Sequence, residues 1–309
     1  MAATTSLTLP AGISVLERGW LSSNNILIRG AQACALIDSG YATHAPQTLA
    51  LVGAALQGKP LGLLLNTHLH SDHCGGNAAL QSTYPAVRTL IPPGLARHVQ
   101  SWDPQALSYT PTGQGCPQFR FDDVLVPGSD LRLGEMTWQV HAAPGHDPHS
   151  VILFEPASRV LVSADALWQH GFGVVFPELD GEDGFNDVAA TLNLIETLQP
   201  AIVIPGHGAP FADVAAALAV ARQRLNRFAV EPARHLQHAA KVLLKFKLLE
   251  VQRIGLTDLR AWARGTDYLV RLFGGLGGTE NLSQNVDDLV QSLVASGAAS
   301  LQDDWVQNA

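Results

Sequence analysis

The sequence predicts an α/β fold followed by a mainly helical domain. Through the first two hundred residues, short apolar runs alternate with turns and helix-like segments, which is the pattern of an α/β domain. Beyond about residue 212 the strand-like runs disappear and helical periodicity takes over. We therefore predict two domains, an α/β domain over 1–212 and a helical domain over 213–309.

The first domain contains apolar runs that are typical of buried strands. Helix candidates lie between them, and the last of these ends at Pro200, which stops a helix just before the next strand. Residues 101–118, SWDPQALSYTPTGQGCPQ, interrupt the alternation and predict a long surface loop. The strand-like runs are NNILIRG, ACALIDSG, LGLLLNTH, MTWQVHAAPGH, SVILFEP, RVLVSADAL and AIVIPGHG.

The second domain is predicted to consist of helices and a short terminal strand. Pro232 separates two long helical segments and suits the first turn of the second one. The segments TDLRAWARG and NVDDLVQSLVASG each open on a capping-type residue and end at glycine, so they predict two further helices. The tail ASLQDDWVQ has the character of a strand.

Composition excludes several classes of protein. With 309 residues and 47% hydrophobic content the chain can build a sizeable core, yet its longest apolar run, 214–221, is far short of the ~20 residues that span a bilayer. The N-terminus lacks a basic start and a long apolar stretch, so we predict a cytoplasmic protein. Cys34, Cys74 and Cys116 are an odd number without paired spacing, which predicts free thiols.

The charge distribution bears on the class of partner. A net charge of −8 argues against a general polyanion binder, although residues 222–264 hold 10 basic against 3 acidic side chains. We expect Lys241, Lys245 and Lys247 to solvate the outer face of a packed helix. The helical domain is therefore predicted to border the active site or to support dimerisation, and not to bind nucleic acid.

The most informative segment is NTHLHSDHCGGN at 66–77, which follows a buried-strand run. It places His68, His70, Asp72 and His73 within six residues, a string that should arise by chance in roughly one such sequence in a thousand. Residues two apart in an extended loop point the same way, so His68 and His70 can share one cation. Asp72 and His73, where the chain turns into a helix, then face a second cation.

Three isolated residues have the same setting, a turn of small residues at the end of an apolar strand. They are His146 in APGH, Asp165 in VSAD and His207 in IPGHG. Each alone is more often a turn histidine or a capping aspartate, but together with the 66–77 string they indicate metal ligands. Imidazoles and carboxylates without thiolates suit Zn²⁺, with Fe or Mn as alternatives.

With these motifs the chain resembles the metallo-β-lactamase superfamily over about residues 12–212. The matching motifs are T-H-x-H-x-D-H-x-G-G at 67–76, G-H at 145–146, Asp165 after a strand, P-G-H-G at 205–208 and L-I-D-S-G at 36–40. The resemblance implies a four-layer αββα sandwich. The helical region resembles the winged-helix-like appendages of one branch, which includes ribonucleases.

The resemblance also implies a role for each ligand. His68, His70 and His146 would bind the first metal, and Asp72, His73 and His207 the second, with Asp165 between the two. Asp38 matches an early aspartate of the family that orients ligands, while a simple turn after a strand is an equally good interpretation. Cys74 is expected to be a small packed residue and not an eighth ligand.

Two divalent metal ions held in this way can keep a bridging hydroxide at neutral pH, and that hydroxide is the expected nucleophile. We therefore predict a dinuclear metal-dependent hydrolase of a small ester, thioester or lactone, in which Asp72 orients or shuttles the proton. The sequence has no G-x-S-x-G elbow, no P-loop and no G-x-G-x-x-G fingerprint. A phosphodiesterase or ribonuclease, or a non-catalytic binding module that retains the metal site, is the alternative.

Substrate residues are less clearly marked. Trp168 stands where the quorum-signal lactonases carry a catalytic tyrosine, so it either walls an apolar substrate pocket or packs in the core. Asp165 argues against an antibiotic-hydrolysing lineage, and the basic segment of the glutathione-thioester hydrolases has no convincing counterpart. His149, His170 and Tyr109 are further candidates for substrate binding because they lie in loops near the predicted ligands or in the long loop.

Overall fold

The computed structural model describes residues 7–277 and 281–309 and confirms the α/β class. Among these residues the strands form three sheets, with the orders β1-β2-β3-β4-β5-β6, β11-β10-β9-β8-β7 and β12-β14-β13. The strands are β1 (Ile13–Leu16), β2 (Asn25–Arg29), β3 (Cys34–Ile37), β4 (Leu61–Leu65), β5 (Arg88–Ile91), β6 (Asp123–Val124), β7 (Asp130–Leu133), β8 (Met136–Ala142), β9 (Val151–Glu155), β10 (Val160–Ala164), β11 (Ile202–Pro205), β12 (Arg253–Gly255), β13 (Ala299–Gln302) and β14 (Trp305–Asn308).

The helices include every segment for which the sequence predicts one, together with several short helices that it does not predict. They are α1 (Ala45–Leu56), α2 (Ser71–Cys74), α3 (Asn77–Thr83), α4 (Ala96–Ser101), α5 (Tyr109–Thr112), α6 (Phe176–Leu179), α7 (Gly184–Leu198), α8 (Val214–Val230), α9 (Pro232–Val251), α10 (Leu256–Arg264), α11 (Asp267–Gly275) and α12 (Leu282–Ala295). Pro200 follows α7 and Pro232 opens α9, as predicted.

The two large sheets pack face to face and enclose the main apolar core. Side chains alternate along each strand, so Ile26 and Ile28 of β2 point between the sheets while Leu27 points away. From the second sheet, Trp138 on β8 and Val162 on β10 enter the same core. Because both sheets contribute one apolar face, the pair forms the central layers of a sandwich.

Helices cover the outer faces of the sandwich. On the first sheet, Leu36 and Leu64 share a buried cluster with Val52 and Leu56 of α1 and with Leu80 of α3. Helix α7 buries Val188, Leu192 and Ile195 on one face, at the i, i+4, i+7 spacing of an amphipathic helix, and its Thr191 Oγ1 donates to the Pro144 carbonyl oxygen after β8. The arrangement is the helix–sheet–sheet–helix layering that the resemblance implies.

The chain folds into two compact units, one of 1–102 and 116–225 and one of 103–115 and 226–309. The division falls inside α8, so this helix contributes to both units. The assignment of catalysis to 1–212 and of an accessory role to 213–309 stays a prediction.

The expectation of a plain surface loop at 101–118 is wrong for part of that segment. Residues 103–115 belong to the second unit, where Leu107 and Tyr109 are buried and α5 packs against α11. The Pro- and Gly-containing composition predicts an irregular backbone correctly. It does not reveal that apolar side chains of this segment pack against α11, more than 100 residues away in the chain.

The second unit is mainly helical with a small sheet. The long helix α9 buries a face made of small and branched side chains, including Ala239, Leu243 and Leu244, and it packs against α11 and α12. The predicted terminal strand is a hairpin of β13 and β14, in which Ala299 pairs with Asn308 and Leu301 with Val306. A winged-helix-like character of this unit stays a prediction.

Within the described residues, none of the helices is both long and apolar enough to cross a membrane. The cytoplasmic location stays a prediction.

Strand direction brings the predicted ligands to one edge of the sandwich. β3 and β4 run parallel, as do β10 and β11, so the carboxyl ends within each pair meet at the same edge. Asp38 follows β3, the 66–77 segment follows β4, Asp165 follows β10 and His207 follows β11.

Candidate metal centre

The turn after β4 folds tightly because two glycines let its backbone approach the preceding turn. His70 is extended (φ −66°, ψ 148°) and caps the four-residue helix α2, which carries Asp72 and His73. A Cβ at Gly75 would lie 2.6 Å from the Ala42 backbone nitrogen, and one at Gly76 would collide with the Ser39 carbonyl oxygen. Only residues without a Cβ fit there, which explains why the histidine string ends in two glycines.

The turn after β11 is held against Asp165 by a similar close approach. A Cβ at Gly206 would collide with Asp165 Oδ1, so this position also requires glycine. Ala164 has a φ of 47°, a left-handed conformation at the end of β10 that directs the next side chain into the site. Asn24 donates from Nδ2 to the carbonyl oxygens of Pro205 (3.0 Å) and Gly208 (2.7 Å), which fixes the turn that carries His207.

The structure brings all seven predicted ligands together in two groups. In each group one ligand atom per residue lies within 4.8 Å of every other, and the groups are His68, His70 and His146, and Asp72, His73, Asp165 and His207.

In the first group the imidazoles present ring nitrogens to a common point. His146 donates from Nδ1 to the Val174 carbonyl oxygen (2.6 Å), so Nε2 is the unprotonated ring nitrogen, which can bind a cation. That Nε2 lies 2.8 Å from His70 Nδ1. His68 is fully buried, and its Nδ1 lies 3.2 Å from Thr67 Oγ1, so its Nε2 faces inward.

In the second group a carboxylate orients the histidine ligand. His73 Nδ1 donates to Asp38 Oδ2 at 2.8 Å, which turns His73 Nε2 toward the other members of the group. His73 Nε2 lies 3.4 Å from Asp165 Oδ1, and His207 Nε2 lies 3.2 Å from Asp72 Oδ2.

The carboxylate of Asp165 lies between the two groups. Its Oδ2 is 3.4 Å from His146 Nε2 in the first group and 3.7 Å from His207 Nε2 in the second. One carboxylate therefore faces imidazoles of both groups.

The donor set fits a divalent cation. His68 Nε2 and His73 Nε2 are buried and have no hydrogen-bond partner among the described residues, although a buried polar atom without a partner is costly. Five imidazoles and two carboxylates at one edge of the sandwich match the nitrogen and oxygen ligands that Zn²⁺, Fe and Mn accept.

Burial keeps two imidazoles of the first group, those of His68 and His146, neutral. Desolvation, together with the neighbouring imidazoles, lowers the pKa of His68 well below its ordinary value. Desolvation and the neighbouring His70 lower the pKa of His146 to about 4. At neutral pH both rings are uncharged and present lone pairs, as metal ligation requires.

In the second group, neighbouring carboxylates outweigh burial and favour the protonated form of an imidazole. Burial alone would lower the pKa of His73, but the carboxylates of Asp38, Asp165 and Asp72 raise it well above the ordinary value. For Asp165, burial favours the neutral acid, while the neighbouring imidazoles of His207 and His73 hold its pKa well below the usual range. In the absence of a cation, the His73 imidazolium balances the carboxylate charge.

Asp38 occupies the orienting position that the resemblance implies. Its carboxylate accepts hydrogen bonds from Thr67 N (2.9 Å) and Thr67 Oγ1 (2.8 Å) as well as from His73 Nδ1. It contacts a predicted ligand and is not itself part of either group of candidate ligands.

Of the predicted substrate residues, Trp168 lies closest to the ligands. Its indole Nε1 donates to Asp165 Oδ1 at 3.2 Å, so it positions a candidate ligand, a role that the sequence did not suggest. His149 packs its ring against the backbone at Gly94, and His170 is exposed in the turn that Trp168 N closes with Gly171 O. Tyr109 is buried in the second unit. Substrate roles for these residues stay predictions.

Sequence reasoning missed three residues beside the candidate ligands. Trp20 stacks on His207, with ring centroids 5.4 Å apart at 14°, and it meets Trp168 edge-on at 5.3 Å. Phe176 contacts the ring edge of His70 at 4.9 Å. Asp147 Oδ2 lies 3.7 Å from His70 Nε2. Only Asp147 had a signal in the sequence, its place directly after His146, since isolated aromatic residues such as Trp20 and Phe176 belong to no motif.

Comparison with known proteins identifies the family. Residues 18–207 match the family described as the metallo-beta-lactamase superfamily. The chain belongs to the metallo-β-lactamase superfamily.

Two curated members of the superfamily are similar in sequence. A hydroxyacylglutathione hydrolase of Anaeromyxobacter dehalogenans is 30% identical over 71% of this chain and 76% of its own length. The acyl-coenzyme A thioesterase MBLAC2 of Homo sapiens is 26% identical over 62% of this chain and 76% of its length. The prediction of a metal-dependent hydrolase is thereby confirmed at the level of enzyme class.

Solved structures of the superfamily share the fold. A metallo-β-lactamase family protein from Thermus thermophilus superposes with a TM-score of 0.55 at 19% identity, and the match covers 97% of this chain and 99% of that one. The B3 metallo-β-lactamase BLEG-1 superposes with a TM-score of 0.56 at 24% identity, over 67% of this chain and 96% of its own. The first of these matches extends across both compact units of this chain.

We predict that Asp38→Asn weakens metal binding without unfolding the protein. The substitution keeps the size of the side chain but removes the charge that orients His73, and loss of such a partner typically weakens metal affinity 10–100-fold, so we expect a loss of about that size. Competition for Zn²⁺ with a chromophoric chelator measures the effect. Glu135→Gln, in an exposed side chain, is the control, and equal affinities in the two variants would contradict the orienting role.

Metal binding should release about one proton from His73 at neutral pH. The carboxylates around this imidazole raise its pKa, so the ring is protonated without metal and must become neutral to bind through Nε2. Affinity for Zn²⁺ should therefore rise with pH until the pH exceeds that pKa. Titration calorimetry in buffers of different ionisation enthalpy counts the proton, and heats that do not depend on the buffer would disprove the assignment.

Proposed function

We propose that the chain is a dinuclear metal-dependent hydrolase of small esters, thioesters or lactones, with zinc as the metal. The observation that carries the proposal is the carboxylate of Asp165, whose Oδ2 lies 3.4 Å from His146 Nε2 and 3.7 Å from His207 Nε2. A carboxylate that faces imidazoles of both groups suits two cations better than one. The similar hydroxyacylglutathione hydrolase and acyl-coenzyme A thioesterase, named for thioester substrates, support this choice of chemistry.

Each residue has a role in this proposal that follows from its position. His68, His70 and His146 hold one cation, Asp72, His73 and His207 hold the other, and Asp165 lies between them. Two such cations supply Lewis acidity for a carbonyl oxygen and lower the pKa of water that attacks the carbonyl carbon.

Asp72 is the residue placed to handle a proton during the reaction. Its Oδ2 is 3.2 Å from His207 Nε2, and its side chain is 15% exposed, more than those of Asp165 and His73. A partly exposed carboxylate at the edge of the group can orient a water molecule and pass its proton to solvent. Trp168 keeps Asp165 in position through its indole N–H.

Aromatic rings around the ligands favour an apolar acyl group in the substrate. Trp20 is 58% exposed although it is a large apolar side chain, and it stacks on His207 beside Trp168. The ring of Phe176, the first residue of α6, contacts the rings of His70 and His146. Exposed aromatic surface next to a reactive centre provides binding energy for a hydrocarbon group, because its burial removes apolar area from water.

The phosphodiesterase or ribonuclease alternative depends on the basic stretch at 222–264, and several of its charges are engaged within the chain. Lys245 Nζ donates to Ala298 O (2.5 Å) and to Asn308 Oδ1 (2.6 Å). Arg260 forms a two-bond ion pair with Asp287. Side chains used in this way contribute less to an electrostatic site for a polyanion, which supports a small-molecule substrate.

A side-by-side screen of thioester, lactone, β-lactam and bis-aryl phosphodiester substrates tests the reaction class. We expect the thioester or the lactone to be hydrolysed with the highest kcat/KM. A clear preference for the phosphodiester would support the alternative and overturn this proposal.

We predict close to two equivalents of zinc in protein purified without chelator. Asp165→Ala should lose metal as well as rate, because it removes the ligand that both groups share, whereas Asp72→Asn should lose mainly one equivalent together with activity. Elemental analysis beside a thioester assay measures both quantities, with Glu135→Gln as the control. A metal-free, fully active enzyme would refute the proposal, and undiminished turnover in either variant would remove that residue from its role.

Trp20→Ala should affect long acyl chains selectively. For an octanoyl thioester we expect KM to rise roughly tenfold, equivalent to about 1.4 kcal/mol of lost binding, while KM for an acetyl thioester changes less than about twofold. Steady-state kinetics with the two substrates measures the difference. Trp305→Ala, an exposed tryptophan of the second unit, is the matched control, and an equal effect on both chain lengths would rule out an acyl contact.

A further inference from the structure

Two of the three cysteines approach each other closely in the first unit. Cys74 Sγ and Cys116 Sγ are 3.9 Å apart although the residues are 42 positions apart in sequence. Neither is disulfide-bonded in this structure. Cys34, the third cysteine, is buried on β3 and pairs along the sheet with the backbone of β2 and β4.

The two thiols differ in exposure, and the difference sets an order of reaction. Cys74 is fully buried as the last residue of α2, and its Sγ contacts the carbonyl oxygens of Leu69 (3.4 Å) and His70 (3.3 Å). Cys116 is only half-buried and is flanked by exposed residues on both sides. An oxidant in solution therefore meets Cys116 first, and the sulfur of Cys74 is the nearby group that can react next.

We propose that Cys74 and Cys116 are a reversible dithiol–disulfide pair that ties the segment at 116–118 to the turn carrying the candidate metal ligands. With hydrogen peroxide as the oxidant, the Cys116 thiol gives up two electrons to become a sulfenic acid, and one water molecule is released. The Cys74 thiol then attacks that sulfur, the S–S bond forms, the S–O bond breaks, and the departing hydroxide leaves with the Cys74 proton as a second water. A small dithiol reverses the step by exchange.

The geometry requires only a local movement. A disulfide bond is about 2.05 Å long, so the two sulfur atoms have to close a gap of under 2 Å from their present separation of 3.9 Å. The half-buried Cys116 lies in a stretch without helix or strand, so its backbone can supply the movement. Cys74 is fixed within α2 and stays in place.

The consequence of the bond follows from the neighbour of Cys74. His73, which precedes it directly, belongs to the second candidate ligand group. A covalent tether at the end of α2 restricts local opening of this turn, so a bound cation should leave more slowly from the oxidised form than from the reduced form.

The experiment uses zinc-loaded protein, and its first readout is mass. After treatment with hydrogen peroxide and removal of excess oxidant, the intact wild type should lose about 2 Da and two titratable thiols. Peptide mapping should find Cys74 linked to Cys116, and dithiothreitol should restore both the mass and the thiols. Cys34→Ser is the matched control and should behave like the wild type, whereas Cys116→Ser should show no loss of mass by cross-linking.

The second readout is the rate at which zinc passes to excess chelator. We expect release from the oxidised wild type to be slower by roughly twofold or more than from the reduced protein, and release from Cys116→Ser to be unaffected by the same treatment. Retention of all three thiols, a bond to Cys34, a bond between two chains, or unchanged zinc release would overturn the proposal. Neither readout uses turnover, so the result stands apart from the proposed hydrolase activity.

Discussion

The buried carboxylate of Asp38 is the interaction on which the candidate metal centre depends. It accepts two hydrogen bonds from Thr67, at the start of the turn after β4, and one from His73, at the end of that turn. A single side chain after β3 thereby fixes both ends of the segment that carries the ligand string. Because Asp38 is almost fully buried, its charge depends on these three donors, one of which is the His73 imidazolium.

Backbone packing supports the same arrangement. The turns after β4 and β11 approach their neighbours where a Cβ would collide, at Gly75, Gly76 and Gly206. Such close contacts leave the backbone of these turns little room to move. They therefore hold the candidate ligands together although several of their charged groups would otherwise repel one another or lack a partner. The site is thus preorganised by rigid strand ends and close backbone contacts, which is the condition under which positioned ligands and dipoles act most strongly on a reacting group.

The surroundings of the ligands divide into a buried polar centre and an aromatic margin. The rings of Trp20 and Trp168 lie against His207, and that of Phe176 lies against His70. Trp168 belongs to both parts, since its ring meets Trp20 while its N–H is bonded to Asp165. Trp168 therefore links the aromatic margin to a candidate ligand. Cys74 connects the ligand turn to another part of the chain, because it follows the candidate ligand His73 directly and its thiol lies 3.9 Å from that of Cys116.

The sequence alone determined the α/β class, the helical second region and the seven candidate ligands, because alternating apolar runs and closely spaced histidines are local patterns. Through a motif that the family shares it also pointed to Asp38, whose carboxylate accepts a hydrogen bond from the candidate ligand His73 in the structure. Only the tertiary structure decided that Trp20 stacks on His207, that residues 103–115 pack with the second unit, and that Cys74 and Cys116 meet. Each of these contacts joins residues far apart in the chain, and nothing in the local pattern at either end specifies the partner, since the partner is selected by packing of the whole fold.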